Sequence, residues 1–350
     1  MVSYQSSMTK HITIKDIARE AGVSVSLVSF VMNNRIGADG KRKYRVSEDT
    51  RLRVLEVARR LNYQPNSAAR NLRQGRTHVI GAVLSDMSNI FYGAIARQLE
   101  DLALEHGFTL LIGSTDEDPR KFDSVVRTFL EKDVEGFIVV PTEGSEDTMS
   151  YLQNAGVPTV VIDRHFPYVR VPNVYTDNAD AMEKAYAVLQ QQGARRIHMV
   201  SYGMRISSII DREVRFCDCL RRSGVADPEA RISRISFNMK PQEPQEIVDR
   251  LLADGCDGLV IASNMPAVSI IKALFQRKVR IQKDIRIVSF DYSNVYGLFD
   301  PAIPYIQQPL EQITRKASDI LFRLIDQRNE GWDIRSENTT VVYEGTLIQE

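Results

Sequence analysis

From residue 78 onward, short and nearly continuous apolar runs alternate with segments of helical periodicity, and this alternation strongly limits the possible folds. Uninterrupted apolar runs are typical of parallel strands that helices cover on both faces. The rhythm restarts after residue 190, which predicts two doubly wound parallel-sheet lobes of the α/β class. The predicted strands are 78–84, 108–114, 136–141 and 158–163 in the first lobe, and 196–201, 258–263 and 285–291 in the second. The segments 174–178 and 305–309 are predicted to cross between the lobes.

The net charge of the 350-residue chain is zero, but the charge is unevenly distributed. Residues 1–76 contain 15 basic and 6 acidic residues, a net charge of +9, so the remainder of the chain carries −9. Such asymmetry indicates a nucleic-acid-binding segment joined to an acidic body.

The basic segment contains the pattern of a helix-turn-helix in residues 13–33. Thr13 is placed to cap a first helix with Asp16 as its capping-box acid, Gly22 supplies a tight turn, and Ser24 caps a second helix. Ser47 caps a third helix, and its predicted inner side is formed by Val54, Leu55, Ala58 and Leu61. A small three-helix bundle that binds a protein is the alternative, but the charge and the turn spacing favour DNA.

Residues 64–76 are predicted to form a hinge helix or linker. A helix of about eight residues between Pro65 and Gly75 is too short to be stable alone in water. The segment is therefore either an inert linker or a helix that folds against a partner.

Polar side chains follow the predicted strands of both lobes, where open parallel sheets bind their ligands. They include Asp86 and Asp163 in the first lobe, and Ser263, Asn264 and Asp291 in the second. Phe91 and Tyr92 are placed to stack on an apolar ligand face, and Gln308 lies at a crossing. This chemistry favours a hydroxyl-rich ligand such as a sugar or a sugar derivative. Two residues have simpler alternatives, because Asp86 can cap a helix and Asp163 can be satisfied by backbone amides.

The sequence contains no pattern that indicates catalysis. The five histidines and three cysteines show no metal-ligand spacing or disulfide framework, and no phosphate-binding loop or nucleophile-elbow serine is present. We therefore expect no enzyme activity, no cofactor and no metal. The sequence also lacks a recognisable secretion signal and a membrane-length apolar run, so we expect a cytoplasmic protein with no membrane partner.

The stretches TIKDIAREAGVSVSLVSFVMN and LNYQPNSAARNLRQGRTHVIGAV resemble the LacI/GalR family of bacterial transcription regulators. The resemblance implies a homodimer on a near-palindromic operator, with a hinge helix in the minor groove and a periplasmic-binding-protein-like core. It places Val25, Ser26, Ser29 and Phe30 at the major groove, Asn66, Ala69 and Arg70 at the minor groove, and Leu72 as a wedge between base pairs. Thr13 completes the predicted DNA-binding set. Phe30 departs from the arginine usual in the family, and the basic loop 34–47 is longer than usual and either contacts phosphates or is simply solvated.

The same resemblance places three effector-binding residues in the core, namely Arg212, Asp291 and Gln308. Arg215 stands at a position where the family has glycine, and Ser263-Asn264 stands where it often has Asn-Asp. A surface ion pair of Arg212 with Asp211 or Glu213 is the simpler alternative. The predicted effector set is Asp86, Phe91, Tyr92, Asp163, Arg212, Ser263, Asn264, Asp291 and Gln308.

The predicted organisation is a DNA-binding head at 1–63, the hinge at 64–76 and an effector-binding and dimerisation core at 77–350. Lobe 1 is expected at 77–176 and 309–335, lobe 2 at 177–307 and 339–350, with a third crossing near 332–340 implied by the resemblance. The predicted function is a sequence-specific transcription regulator, a repressor controlled by a sugar-like effector. A solute-binding protein and a sugar kinase or isomerase are the rival classes, and the basic head and the missing phosphate loop count against them.

Overall fold

The computed structural model describes residues 12–32, 46–63 and 76–349. It divides into two compact units, one ending at Arg76 and the other beginning at Thr77. The hinge residues Asn66, Ala69, Arg70 and Leu72 and most of the loop 34–47 lie outside the described residues.

The first unit contains three helices, α1 (Ile14–Ala21), α2 (Val25–Met32) and α3 (Glu48–Arg60). The Asp16 carboxylate accepts hydrogen bonds from the Thr13 backbone N–H at 3.0 Å and from its hydroxyl at 2.7 Å. Gly22 ends α1 with φ +66°, and Ser24 Oγ accepts from the Leu27 N–H at 3.2 Å to start α2. The predicted caps and turn of the helix-turn-helix are thus present.

A small apolar core holds the three helices together. It is formed by Ile17, Ala18, Ala21, Val28, Val54, Val57 and Ala58. Val57 is buried, whereas the predicted Leu55 is only half-buried, because the stripe of α3 follows a spacing of three and four residues from Val54.

Lobe 1 is a six-stranded parallel sheet in the order β11-β5-β4-β3-β1-β2. Its strands are β1 (Val79–Leu84), β2 (Thr109–Ser114), β3 (Gly136–Val139), β4 (Thr159–Ile162), β5 (Asn173–Thr176) and β11 (Thr340–Tyr343). Helices α4 (Ile90–Glu105) and α11 (Leu310–Asn329) cover one face, and α5 (Pro119–Leu130) and α6 (Glu146–Asn154) cover the other. Burial on both faces explains the continuous apolar runs of the strands.

Lobe 2 repeats the arrangement in the order β12-β10-β9-β8-β6-β7. Its strands are β6 (Ile197–Tyr202), β7 (Ile232–Ile235), β8 (Gly258–Ile261), β9 (Arg286–Phe290), β10 (Tyr305–Gln307) and β12 (Thr346–Ile348), and its helices are α7 (Asn178–Gln191), α8 (Ser207–Arg222), α9 (Glu243–Ala253) and α10 (Asn264–Gln276). The β10–β12 pair is antiparallel. Strand β7 was not predicted, because this edge strand is mostly only half-buried and includes an exposed Arg234.

The chain crosses between the lobes three times. The first two crossings, between β5 and α7 and between β10 and α11, lie in the predicted segments 174–178 and 305–309. The predicted third crossing near 332–340 is wrong, as is the assignment of residues 339–343 to lobe 2. Strand β11 pairs with β5 in lobe 1, in the register Thr340 to Asn173, so the third crossing falls between β11 and β12.

Candidate functional site

A cleft lies between the lobes, at the carboxyl ends of their parallel strands. Open parallel sheets bind their ligands at this place in the fold. Eight of the nine predicted effector residues line the cleft, namely Asp86, Phe91, Tyr92, Asp163, Arg212, Ser263, Asp291 and Gln308. Charged and aromatic side chains from two separate sheets therefore converge on one space.

The ninth predicted residue, Asn264, has a different position. Its Nδ2 donates to Asn89 Oδ1 at 3.0 Å and to the Tyr292 carbonyl at 3.2 Å. Asn89 belongs to lobe 1, so Asn264 links the lobes and is not among the described residues that line the cleft. The structure thus gives Asn264 a bridging contact to the cleft residue Asn89, and its contact with a ligand stays a prediction.

Arg212 is buried on α8 and faces the cleft, which excludes the alternative of a surface ion pair. Its Nε donates to Asn178 Oδ1 at 2.8 Å and its Nη1 to the Ala262 carbonyl at 2.6 Å, and the guanidinium carbon lies 4.1 Å from the centre of the Phe290 ring. Burial lowers the pKa of Arg212, although the Asp291 carboxylate opposes this effect. Among the described residues, Nη2 has no hydrogen-bond partner, so it is placed to donate to a bound molecule.

Asp291 follows β9 and is buried in the cleft. Burial raises the pKa of its carboxyl to about 6, against the attraction of Arg212 and a hydrogen bond from Gln308. Gln308 Nε2 donates to Asp291 Oδ1 at 2.8 Å, while its Oε1 accepts from the Thr176 hydroxyl at 2.7 Å. The cleft carboxyl is thereby connected to the first two crossings between the lobes.

Asp163 occupies the matching place after β4 of lobe 1. Its Oδ2 accepts from the Tyr92 hydroxyl at 2.9 Å, so the predicted alternative of backbone amides does not account for this carboxylate. Burial raises the pKa of both Asp163 and Tyr92. Asp163 and Asp291 both have left-handed backbones, with φ +67° and +63°. Such conformations are uncommon outside glycine and cluster at functional sites.

Glu117 and Arg164, which are not in the predicted effector set, form an ion pair in the cleft. Their side chains are 7% and 3% exposed, and Arg164 Nη1 donates to Glu117 Oε2 at 3.0 Å. The attraction of Arg164 holds the pKa of Glu117 low even though burial acts to raise it. Glu117 also has φ +58°, a turn that no simple sequence pattern predicts. Arg164, by contrast, follows a predicted strand, so its position was open to prediction.

The remaining predicted cleft residues have local partners. Asp86 Oδ1 accepts from the N–H of Ser88 at 2.8 Å and from its hydroxyl at 2.7 Å, while Asn89 caps α4. Asp86 thus orders the turn before the helix and does not itself cap it. The Phe91 and Tyr92 rings meet edge to face at 5.0 Å, and Ser263 precedes α10 as its N-cap residue.

Further polar contacts join the lobes beside the cleft. The His165 N–H donates to Ser207 Oγ at 2.9 Å, and His165 Nε2 lies 3.2 Å from Asp211 Oδ2. The Arg205 N–H donates to Glu143 Oε2 at 2.9 Å. These contacts connect residues of lobe 1 with α8 and the segment before it, so hydrogen bonds join the two lobes beside the cleft.

In the first unit, the predicted major-groove residues lie on α2. Val25 is 45% exposed and Ser26 is exposed, whereas Ser29 and Phe30 are half-buried. Thr13 belongs to the capping interaction at the start of α1. An exposed valine at the beginning of a helix that follows a tight turn suits contact with base edges.

Two further properties concern the described part of the chain. Within it, no group of three or more His, Cys, Asp or Glu side chains is arranged to hold a metal ion. No helix in these residues is both long and apolar enough to span a membrane.

Comparison with known proteins agrees with this geometry. Residues 13–66 match the family described as bacterial regulatory proteins, lacI family, and residues 77–343 match periplasmic binding proteins and sugar binding domain of LacI family. The sucrose operon repressor of Klebsiella pneumoniae is 32% identical over 91% of this chain and 93% of its own. Catabolite control protein A of Staphylococcus epidermidis is 28% identical over 86% and 89%, respectively.

A crystal structure of the lac repressor dimer bound to operator and the anti-inducer ONPF shares the fold, with a TM-score of 0.80 and 19% identity over 97% of this chain and 98% of that one. A LacI family regulator from Silicibacter pomeroyi has a TM-score of 0.77 at 22% identity, covering 97% of this chain and 98% of its own. The curated relatives named here are regulators of transcription. The chain therefore belongs to the LacI family of DNA-binding bacterial transcription regulators.

Proposed function

We propose that this regulator is a cytoplasmic repressor that binds a near-palindromic operator as a homodimer. A small hydroxyl-rich effector, a sugar or a sugar derivative, binds between the lobes and controls operator affinity. The sucrose operon repressor and the operator-bound lac repressor dimer support the class of function.

The observation that carries the proposal is the convergence of polar groups from both lobes on one cleft. Asp163 belongs to lobe 1, Arg212 and Asp291 belong to lobe 2, and Gln308 bonds to Asp291 from a crossing. A molecule that contacts both lobes stabilises their closed arrangement, because its affinity differs between the closed and open forms. Regulation by a factor of ten requires about 1.4 kcal/mol of coupling between the sites.

The coupling between the cleft and the DNA-binding head would act through the hinge. A helix of about eight residues is too short to be stable alone in water, so in this proposal residues 66–73 would fold only by pairing with the second subunit and the minor groove. A change in the angle between the lobes would change the separation of the two hinges and thereby their pairing.

The test begins with an operator selected from random duplexes. Gel-shift affinity should fall steeply with salt, because phosphate contacts release counterions. Thermal-shift screening against sugars should then identify a ligand that stabilises the folded protein and alters operator affinity. Binding that does not depend on salt would contradict the head as the DNA-binding unit.

Arg212→Ala, with Arg215→Ala as control on the same helix, tests the cleft. Arg215 pairs with Glu183 at the surface. Loss of a charge-assisted hydrogen bond of about 1.5–3 kcal/mol should weaken the ligand ten- to hundredfold in Arg212→Ala alone. Both variants should bind operator like the parent. An unchanged ligand response in Arg212→Ala would remove this residue from the site.

A further inference from the structure

The Arg164 guanidinium in the cleft is held by groups of the protein itself. Nη1 donates to Glu117 Oε2 at 3.0 Å and to the Pro141 carbonyl at 2.6 Å. Nη2 donates to Glu117 Oε1 and, at 3.4 Å, to the Tyr92 hydroxyl. The Ser85 hydroxyl donates to the same Glu117 carboxylate. Arg164 is therefore paired with a carboxylate through both Nη atoms, and its buried Nε is the one side-chain nitrogen with no hydrogen-bond partner among the described residues.

The backbone of the loop before α5 places the Glu117 carboxylate beside Arg164. Asp116 and Glu117 both have left-handed backbones, with φ +50° and +58°. Asp116 faces away from the cleft and pairs with Lys121, whereas Glu117 is buried against Arg164. Strain of this kind persists where the surrounding contacts fix one conformation.

The second cleft arginine is engaged through two of its three side-chain nitrogens. Arg212 Nε donates to Asn178 and Nη1 donates to the Ala262 carbonyl. The carboxylates of Asp291 and Asp163 attract its positive charge and act to raise its pKa, against the effect of burial. Recognition of phosphate usually relies on arginine or lysine groups that are free to pair with it. Among the described residues that line the cleft there are four carboxylates and two guanidiniums, and no lysine.

We infer that Glu117 determines the charge class of the effector, because it occupies Arg164 and so leaves the cleft selective for an uncharged, hydroxyl-rich molecule over its phosphorylated counterpart. The inference rests on the proposed control by a sugar-like effector. A hydroxyl group both donates and accepts, so a neutral polyol can donate to Asp163 and Asp291 and accept from Arg212 Nη2. A phosphate monoester carries a charge of about −1.5 to −2 at neutral pH and mainly accepts hydrogen bonds, so it would be repelled by the excess of carboxylates.

The experiment uses the full-length protein and matched pairs of probes in calorimetric titration. The pairs are glucose and glucose 6-phosphate, fructose and fructose 6-phosphate, ribose and ribose 5-phosphate, and sucrose and sucrose 6-phosphate. The expected result is that at least one neutral sugar binds and that its phosphate binds at least tenfold more weakly. Tighter binding of a phosphorylated member would overturn the inference but leave the sugar-controlled regulator intact. Binding of no probe, with operator binding retained, would overturn the proposed function and this inference with it.

Glu117→Gln tests the assigned residue, with Asp116→Asn as the matched control. Both changes remove one negative charge from adjacent positions, but only Glu117→Gln releases Arg164. The preference for the neutral sugar over its phosphate should fall about tenfold in Glu117→Gln and stay at the parent value in Asp116→Asn. Equal changes in both variants, or no change in either, would overturn the role of Glu117.

A double variant covers the case in which Glu117→Gln fails to fold with an unpaired buried arginine. Glu117→Gln combined with Arg164→Gln removes both charges and frees no guanidinium. Its preference should equal that of the parent protein. A loss of preference in this double variant would show that the pair does not act by occupying Arg164.

Discussion

Gln308 donates a hydrogen bond of 2.8 Å to Asp291, so a residue at a crossing between the lobes contacts a carboxyl in the ligand cleft. The same amide accepts from Thr176 at another crossing. A movement of the lobes about these crossings would therefore change the surroundings of Asp291 directly. The connection gives ligand binding and lobe angle a common set of contacts.

Asp291→Asn should increase the free energy of unfolding of the ligand-free protein at pH 7.5 by about 1–3 kcal/mol. Burial raises the pKa of Asp291 from 3.8 to about 6, so the folded state holds a proton that the unfolded state has released between these values. The contribution of this group to stability therefore falls as pH rises from about 4 to about 6 and stays low above that. Asparagine resembles the protonated form and avoids this loss.

The measurement is urea unfolding from pH 4 to pH 8, with Asp319→Asn on the exposed side of α11 as control. The free energy of unfolding should vary less with pH in the Asp291 variant than in the parent. The variant should also bind the ligand more weakly. A destabilised variant at pH 7.5 would mean that the charge of Asp291 is needed to balance Arg212.

Asp211→Asn should weaken closure of the lobes at pH 6 and have little effect at pH 8.5. The hydrogen bond that His165 donates to the Asp211 carboxylate raises the pKa of His165, so the ion pair is fully formed below about 6.5 and is lost as pH rises through the higher folded-state value. Both side chains are about one-third exposed, which limits the effect to about 0.5 kcal/mol, or roughly twofold in ligand affinity.

The check is to titrate the ligand at both pH values, with Asp218→Asn as control. Asp218 lies on the same helix and pairs with Arg221 within it. A reduction of equal size at pH 6 and pH 8.5 would indicate that Asp211 acts independently of the charge on His165.

Gly22→Ala should destabilise the three-helix unit by about 1 kcal/mol. A Cβ atom at residue 22 would have no neighbour within 4 Å, so the cost comes from the left-handed backbone at φ +66°. Gly93→Ala is the control, because residue 93 is also uncrowded but lies inside α4, where alanine is the better helix former. Calorimetry of the full-length variants should show a lower unfolding temperature of the three-helix unit for Gly22→Ala and an unchanged one for Gly93→Ala.

Leu72→Ala should weaken binding to the selected operator much more than binding to random DNA. A wedge between base pairs contributes only where the DNA is bent specifically, whereas phosphate contacts act on any sequence. Ala69→Gly should act in the same direction but more weakly, through its lower helix propensity. Gel shifts on both DNAs measure the ratio of the affinity for operator to the affinity for random DNA. Equal losses of affinity for the two DNAs would identify the hinge as a passive tether.

The lobes were predictable because buried parallel strands leave continuous apolar runs, as in β1 and β9. Asp163, Arg212 and Asp291 could be placed in one cleft because polar residues after such strands meet at one edge of the sheet. Glu117 could not be placed, because its position depends on consecutive left-handed residues in a loop. The third crossing was misplaced and the bond of Asn264 across the lobes was not predicted, because contacts between distant segments decide both.

The order in which strands enter the two sheets has a consequence for synthesis. Lobe 1 receives its edge strand from residues 340–343 and lobe 2 from residues 346–348, after nearly all the other strands of both have been made. On the ribosome, the DNA-binding head is synthesised first. Strand β5 of lobe 1 and strand β10 of lobe 2 lack their last neighbouring strands until the third crossing has been synthesised. A premature stop before residue 340 would therefore release a chain with a complete head and two unfinished lobes. Such a product would be a target for chaperones and proteases rather than a regulator.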